Sequence, residues 1–304
     1  VAAQRGWLPV DAIPGLNSFV LFFALPCMLY RFGAGTPILQ LLDATLFCAY
    51  LLCALLMVGF VVAVSLSRRI GWNDAAFGAL VGAFSNTGVM GVPLLVALLG
   101  AAAAGPAIVT ILVDLIVTTS LCIALSRLDG ADEHGASKAA RNALRGVLTN
   151  PMPWAIVMGA VSSGLGLTLI EPLEKTVALL ADAASPVALF TIGAVLARSQ
   201  IRTQETDHAP ILWRDVLPTV FFKLVLHPVL VLLVLSSAIQ QGFHVERFTL
   251  VVVVLVAALP SASNVAVLTE RFGANTGRIA KIILLSTATA FFTFSGAVAL
   301  LVDS

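Results

Sequence analysis

The chain has 304 residues, 59% of them hydrophobic and 11% charged, with a mean hydropathy of +1.02. Soluble domains carry about a quarter charged residues, so this composition excludes one and indicates an integral membrane protein. The formal net charge of +1 gives no reason to expect nucleic acid, because in a membrane protein the placement of charge matters more than its sum.

A span needs roughly 20 apolar residues. The opening VAAQRGW has neither a charged n-region nor an apolar h-region, and the chain reads as truncated at its start. Apolar runs and their polar or Gly/Pro punctuation then predict nine spans: 15 to 32, 38 to 67, 74 to 100, 106 to 127, 151 to 170, 173 to 198, 214 to 240, 247 to 271 and 279 to 302. Cys27, Cys48, Cys53 and Cys122 fall in apolar runs without CxxC or Cys/His spacing and read as packing residues.

Several of these spans carry charge. Asp43, in LLDATLF, stands early in the second, where a carboxylate reaches the interface. Asp114, in ILVDLIV, stands eight residues into its span, about 12 Å at 1.5 Å per residue. Asp182, in LLADAASP, is read as similarly deep, beside a kink at Pro186, and Lys223 has His227 one helical turn on. Ionisable groups at such depth cost at least ~2.5 to 3.5 kcal/mol on insertion scales and are functional candidates by default. Proton coupling competes here with an inert polar contact, and for Lys223 a counter-charge competes with snorkelling to the interface.

Two spans are interrupted. NTGVMGVP (86 to 93) breaks the third, and PSASN (260 to 264) breaks the eighth. The segments AFSNTGVMGVPLLVALLGAAAAGPAIVTI and AALPSASNVAVLTERFGANTGRIAKIILL share a plan. Each has an apolar half, a break of small and polar residues, a second half ending in glycine (Gly100, Gly273), a short linker and another apolar span. If 151–304 is a complete five-span unit, 1–127 is the same unit lacking its first span. An odd number of spans per unit sets the two copies upside down, the pattern of secondary transporters with a site near the bilayer midplane. Backbone groups freed by a break cannot be left in hydrocarbon, and half-helix N-termini offer N–H donors and partial positive charge to an anion. Ordinary kinks satisfied by neighbouring helices are the competing explanation.

Lysines and arginines set the orientation. Arg5, Arg68, Arg69, Arg127, Lys138, Arg141, Arg145, Arg198, Arg202, Arg214, Arg271, Arg278 and Lys281 fall on one side, against Arg31, Lys175 and Arg247 on the other. The first side, with the polar linker 128–150, is expected to be cytoplasmic.

SNTGVMGVPLL and ALPSASNVAVLTERFG, with FALPCMLYRFG and SPVALFTIGAVL, resemble the paired motifs of the auxin efflux carrier family across essentially the whole chain. That family includes the plant PIN-FORMED carriers and bacterial malonate or malate transporters, and is distantly related to the bile acid:sodium symporters. The resemblance implies an all-α, ten-span membrane fold of two inverted five-helix repeats whose interrupted helices cross. On this chain the implied substrate positions are Asn86, Thr87, Gly88, Gly91 and Pro93, then Pro260, Ser261, Ala262, Ser263 and Asn264. It also makes Asp43 a weaker candidate for proton or gating chemistry. By analogy a homodimer in a bacterial inner membrane is expected.

The reading is a secondary transporter of a small organic anion, a mono- or dicarboxylate such as malonate or malate, with no cofactor beyond a coupling proton or sodium ion. There is no P-loop, and no HExxH or GxSxG for an enzyme. A sodium-coupled symporter of the bile acid type is the alternative, and a channel or receptor a more distant one.

Overall fold

A computed structural model describes residues 7–35, 43–128, 151–205 and 212–302. Pro93 is placed in the backbone, while its side chain lies outside the described residues, as does nearly all of the linker at 128–150. The described chain is helical, as a membrane solvent demands, since a helix satisfies its own backbone.

The described residues form nine helical runs, in order. The first joins α1 (Ile13–Phe19) through a π turn (Val20–Ala24) to α2 (Leu25–Gly35), and the second is α3 (Ala44–Ser65). The third is broken into α4 (Trp72–Ala83) and, after a π turn (Thr87–Gly91), α5 (Val92–Leu99). The fourth joins α6 (Ala104–Leu112) through a π segment (Val113–Thr118) to α7 (Thr119–Leu125). The second half comprises α8 (Pro151–Leu165), α9 (Glu171–Glu205), and α10 (Leu217–Phe221) joined through a π turn (Phe222–Leu226) to α11 (His227–Gln240). It ends with α12 (Arg247–Ala258), α13 (Asn264–Arg271) and α14 (Thr276–Val302). The stretches Ala44–Ser65, Ala104–Leu125, Leu217–Gln240 and Thr276–Val302 are each long and apolar enough to cross a membrane.

Local chemistry accounts for the ends. Asp43 caps α3, its carboxylate accepting from the Leu46 N–H at 2.9 Å, as an N-cap acid should. Gly100 and Gly273 follow α5 and α13 at φ of +90° and +70°, a left-handed turn that costs glycine nothing.

The helices sort into two packed groups. The run α1–α2 packs chiefly with α8 and α9, while α3 to α7 and α10 to α14 pack mainly among themselves, with α9 also lying against α14. Within the first group α2 and α8 cross backbone to backbone, since a Cβ on Gly33 or Gly159 would fall on the main chain of the other helix. The larger group holds the deepest core, and α4 and α12 lie at its centre, buried on every side over Ala75–Ala83 and Val252–Ala258. An apolar helix of small side chains buried all round is what such a position requires.

Candidate functional site

The two central helices stop where the chains leaving them pair, Ser85 opposite Ser261. After α4 the chain becomes extended at Phe84, and after α12 at Leu259, so carbonyls that helix would have used are left over. Each strand satisfies the other: Asn86 N–H donates to Pro260 O and Ala262 N–H donates to Phe84 O, both at 2.9 Å, framing an antiparallel bridge between Ser85 and Ser261. The breaks are therefore the crossing point of the molecule, with their polar backbone accounted for.

Small residues permit the close approach. A Cβ on Gly91 would strike Leu259 and press on Thr87. Asn86, Thr87, Pro260, Ser261, Ala262 and Ser263 are all buried, and Gly88 and Asn264 nearly so. The structure thus brings the residues expected from both motifs to one place. Thr87 folds back, its N–H donating to Ser85 O at 2.7 Å. The hydroxyls of Ser261 and Ser263 are buried with no hydrogen-bond partner among the described residues, although buried polar groups are nearly always paired. At the crossing lies a small cavity of 30 Å³, lined by Ser85, Asn86, Gly88, Ala262 and Asn264 and by Leu25, Met28 and Leu29 of α2. It is far smaller than the ~300–1,000 Å³ of ligand pockets, so it has no room for a dicarboxylate as it stands.

Two charges lie behind the crossing, each on a π segment that interrupts a long helix, an irregularity frequent at functional sites. Lys223 is fully buried, and its ammonium donates to Ser85 Oγ at 2.6 Å and Ala257 O at 3.0 Å, with His227 Nδ1 at 2.9 Å. Asp114 is likewise buried and accepts from Tyr50 at 3.2 Å and Thr118 at 3.2 Å, with the Ser85 N–H facing it. Lys223 and Asp114 thus interact through Ser85, the residue that forms the crossing bridge. Tyr50 completes the cluster, its ring tilted against His227 with centroids 5.9 Å apart.

The remaining sequence candidates lie elsewhere. Asp43 borders a 630 Å³ pocket with His244 and Glu246, away from the crossing. Asp182 pairs with Arg31 at 2.7 Å with both side chains exposed, 72% and 47% respectively, and α9 continues as helix through Pro186. Depth along a span does not say which face a residue occupies, so Asp182 stands deep by position and is still exposed. Ser85 and Tyr50 were missed. Ser85 had a signal, because it stands in the first break where Ser261 stands in the second, whereas Tyr50 had none beyond being an aromatic in an apolar run.

Comparison with known proteins came out consistently. The sequence profile of membrane transport proteins matches residues 1–298. A Rhizobium meliloti protein named "Putative malonate transporter" is 27% identical over 289 residues, 95% of this chain and 87% of its own length. An Escherichia coli protein named "Uncharacterized transporter YfdV" is 26% identical over 206 residues, 67% of this chain and 60% of its own length.

Proposed function

The chain belongs to the membrane transport protein family, that of the auxin efflux carriers, and from this premise we propose that it is a secondary carrier of a small organic anion. The substrate class is a mono- or dicarboxylate such as malonate or malate, in keeping with the name of the Rhizobium meliloti relative. It binds where the two interrupted helices cross and moves by alternating access.

The observation that carries this reading is the pair of partnerless buried hydroxyls, Ser261 Oγ and Ser263 Oγ, at the crossing. A carboxylate accepts from both and lies near the start of α13, where helix N–H groups favour negative charge. With 30 Å³ beside the crossover, a dicarboxylate enters only if α2 and the crossover part. The two packed groups of helices supply that motion, α1–α2, α8 and α9 as the frame and the crossover bundle as the moving part.

The inverted-repeat architecture, 1–127 against 151–304 around a cytoplasmic linker, is part of the proposal. In its favour, Asp114 faces the Ser85 N–H from the helix after the first break, and Ser286 accepts the Ser261 N–H at 3.2 Å from the helix after the second. The coupling ion we assign is the proton. Lys223 already places a positive charge within hydrogen-bond reach of Ser85, which disfavours a sodium ion at the same spot.

Counterflow of labelled malonate and malate in proteoliposomes of the full-length protein tests this. A Ser261→Ala/Ser263→Ala variant should lose at least about tenfold in exchange while eluting as a folded monodisperse species. Uptake should respond to a pH gradient and persist when sodium is replaced. Undiminished exchange by the double variant would remove the crossing as the anion site.

A further inference from the structure

One end of the bundle holds a second polar concavity, separate from the crossing. A cavity of 420 Å³ opens between the end of α3, the loop after it, the turn before α10 and the start of α14, within the ~300–1,000 Å³ range of ligand pockets. Its walls carry Arg68, Arg69, Arg214 and Arg278 against a single acid, Asp215. All four cations border the same cavity, three of them exposed at its rim.

The cavity is built rather than incidental. Arg278 is its floor, buried, donating from Nε to Asp215 O at 2.8 Å, from Nη1 to Asp74 O at 2.9 Å and from Nη2 to Ser65 Oγ at 3.3 Å. Its guanidinium packs closely over Gly78, where an added Cβ would come within 2.9 Å of Nη1. The arginine loop is held by reciprocal hydrogen bonds between Ser67 and Ile70, at 3.1 and 3.3 Å. Arg68 and Arg69 at its tip are exposed, and Arg214 meets Asp215 only at 3.9 Å. Immediately beside this rim the surface turns apolar, with Val64, Leu217 and Phe221 more than half or about half exposed, and with Trp213 stacked under Lys281 Nζ at 3.9 Å.

A ligand that fits both halves is anionic at its head and hydrocarbon below. We propose that this cavity binds the phosphate headgroup of an anionic phospholipid, the acyl chains lying along Val64, Leu217 and Phe221. Guanidinium forks match phosphate oxygens, and basic pockets between spans are where such headgroups bind. Because the site joins α3, α10 and α14, its occupancy bears on the bundle that carries the crossing.

The test uses the full-length protein in detergent, with native mass spectrometry and thermal unfolding across titrations of phosphatidylglycerol, phosphatidylcholine and inorganic phosphate. Phosphatidylglycerol should bind and raise Tm, less so as salt is increased, and phosphatidylcholine should do neither. At roughly 1 kcal/mol per cation near a membrane surface, Arg68→Gln/Arg69→Gln/Arg214→Gln should weaken phosphatidylglycerol about a hundredfold, while Arg247→Gln at the opposite end leaves it unchanged. Retained binding by the triple variant, an equal response to phosphatidylcholine, or an equal loss in Arg247→Gln overturns the proposal. Saturation by inorganic phosphate at the lipid's own concentration overturns the lipid assignment in favour of a free anion. A Ser67→Cys probe, whose maleimide labelling phosphatidylglycerol should slow and phosphatidylcholine should not, gives the same readout with every arginine in place.

Discussion

Ser85 carries two roles at once. Its backbone pairs with Ser261 in the crossing bridge, while its hydroxyl accepts from the Lys223 ammonium. A movement of the crossover must therefore move the polar surroundings of Lys223, and through the Ser85 N–H those of Asp114. Lys223 and Asp114 compensate each other in a place with no access to solvent, and removing one partner of such a pair costs about 3–5 kcal/mol because the other charge is left behind. Lys223→Met alone should therefore lower stability severely. Asp114→Asn with Lys223→Met should lose less than the sum of the two single changes, a coupling that a double-mutant cycle on thermal unfolding reads directly. Strict additivity would mean that the two groups do not sense each other. Sequence alone singled out both charges, since an ionisable residue within a long apolar run is conspicuous. It did not bring them together, because which face of a span carries a residue depends on neighbours far along the chain, 64 positions away for Tyr50 and Asp114 and 138 for Lys223 and Ser85. Asp182 illustrates the same limit from the other side, standing deep by position and yet exposed beside Arg31.

Helices in this molecule are positioned by where side chains are missing. At the crossing of α2 and α8, a Cβ on Gly159 would land on the Tyr30 carbonyl and within 2.8 Å of the Ala34 nitrogen, so the two backbones are in contact and the Tyr30 hydroxyl reaches Ser162 at 3.1 Å. Gly159→Ala should force these helices apart at a cost of about 1–3 kcal/mol, seen as a lower Tm in detergent. Gly59→Ala in α3, where an added Cβ meets nothing within 4 Å, should instead be neutral or stabilising by about 0.5–1 kcal/mol, as expected for replacing glycine in a helix. If both variants behave alike, the close crossing does not hold the frame together. The runs themselves were legible, each of the nine predicted stretches coinciding with a helical run to within several residues, and the breaks were announced by Asn, Ser, Gly and Pro. The π segments at Val113–Thr118 and Phe222–Leu226 were not, since one extra residue per turn leaves no mark on an apolar pattern. They matter because they carry Asp114 and Lys223.

Over the whole molecule, charge separates by end. Arg68, Arg69, Arg214 and Arg278 gather at one pole, and Asp43, His244 and Glu246 border the pocket at the other. The fold brings these four arginines, from three separate connections, to one cavity, which a list of alternating loops does not guarantee. By the positive-inside rule the lysine- and arginine-rich side stays in the cytoplasm, an orientation that labelling tests. In a background with the four native cysteines replaced, a membrane-impermeant maleimide applied to right-side-out vesicles should label Gln241→Cys. It should reach Ser67→Cys only after permeabilisation. Both positions are exposed, so a difference in labelling reports sidedness and not burial. The reverse pattern would place the arginine pole outside, away from the leaflet whose anionic surface attracts such a cluster, and would reverse the assignment of which face of the crossover opens to the cell interior.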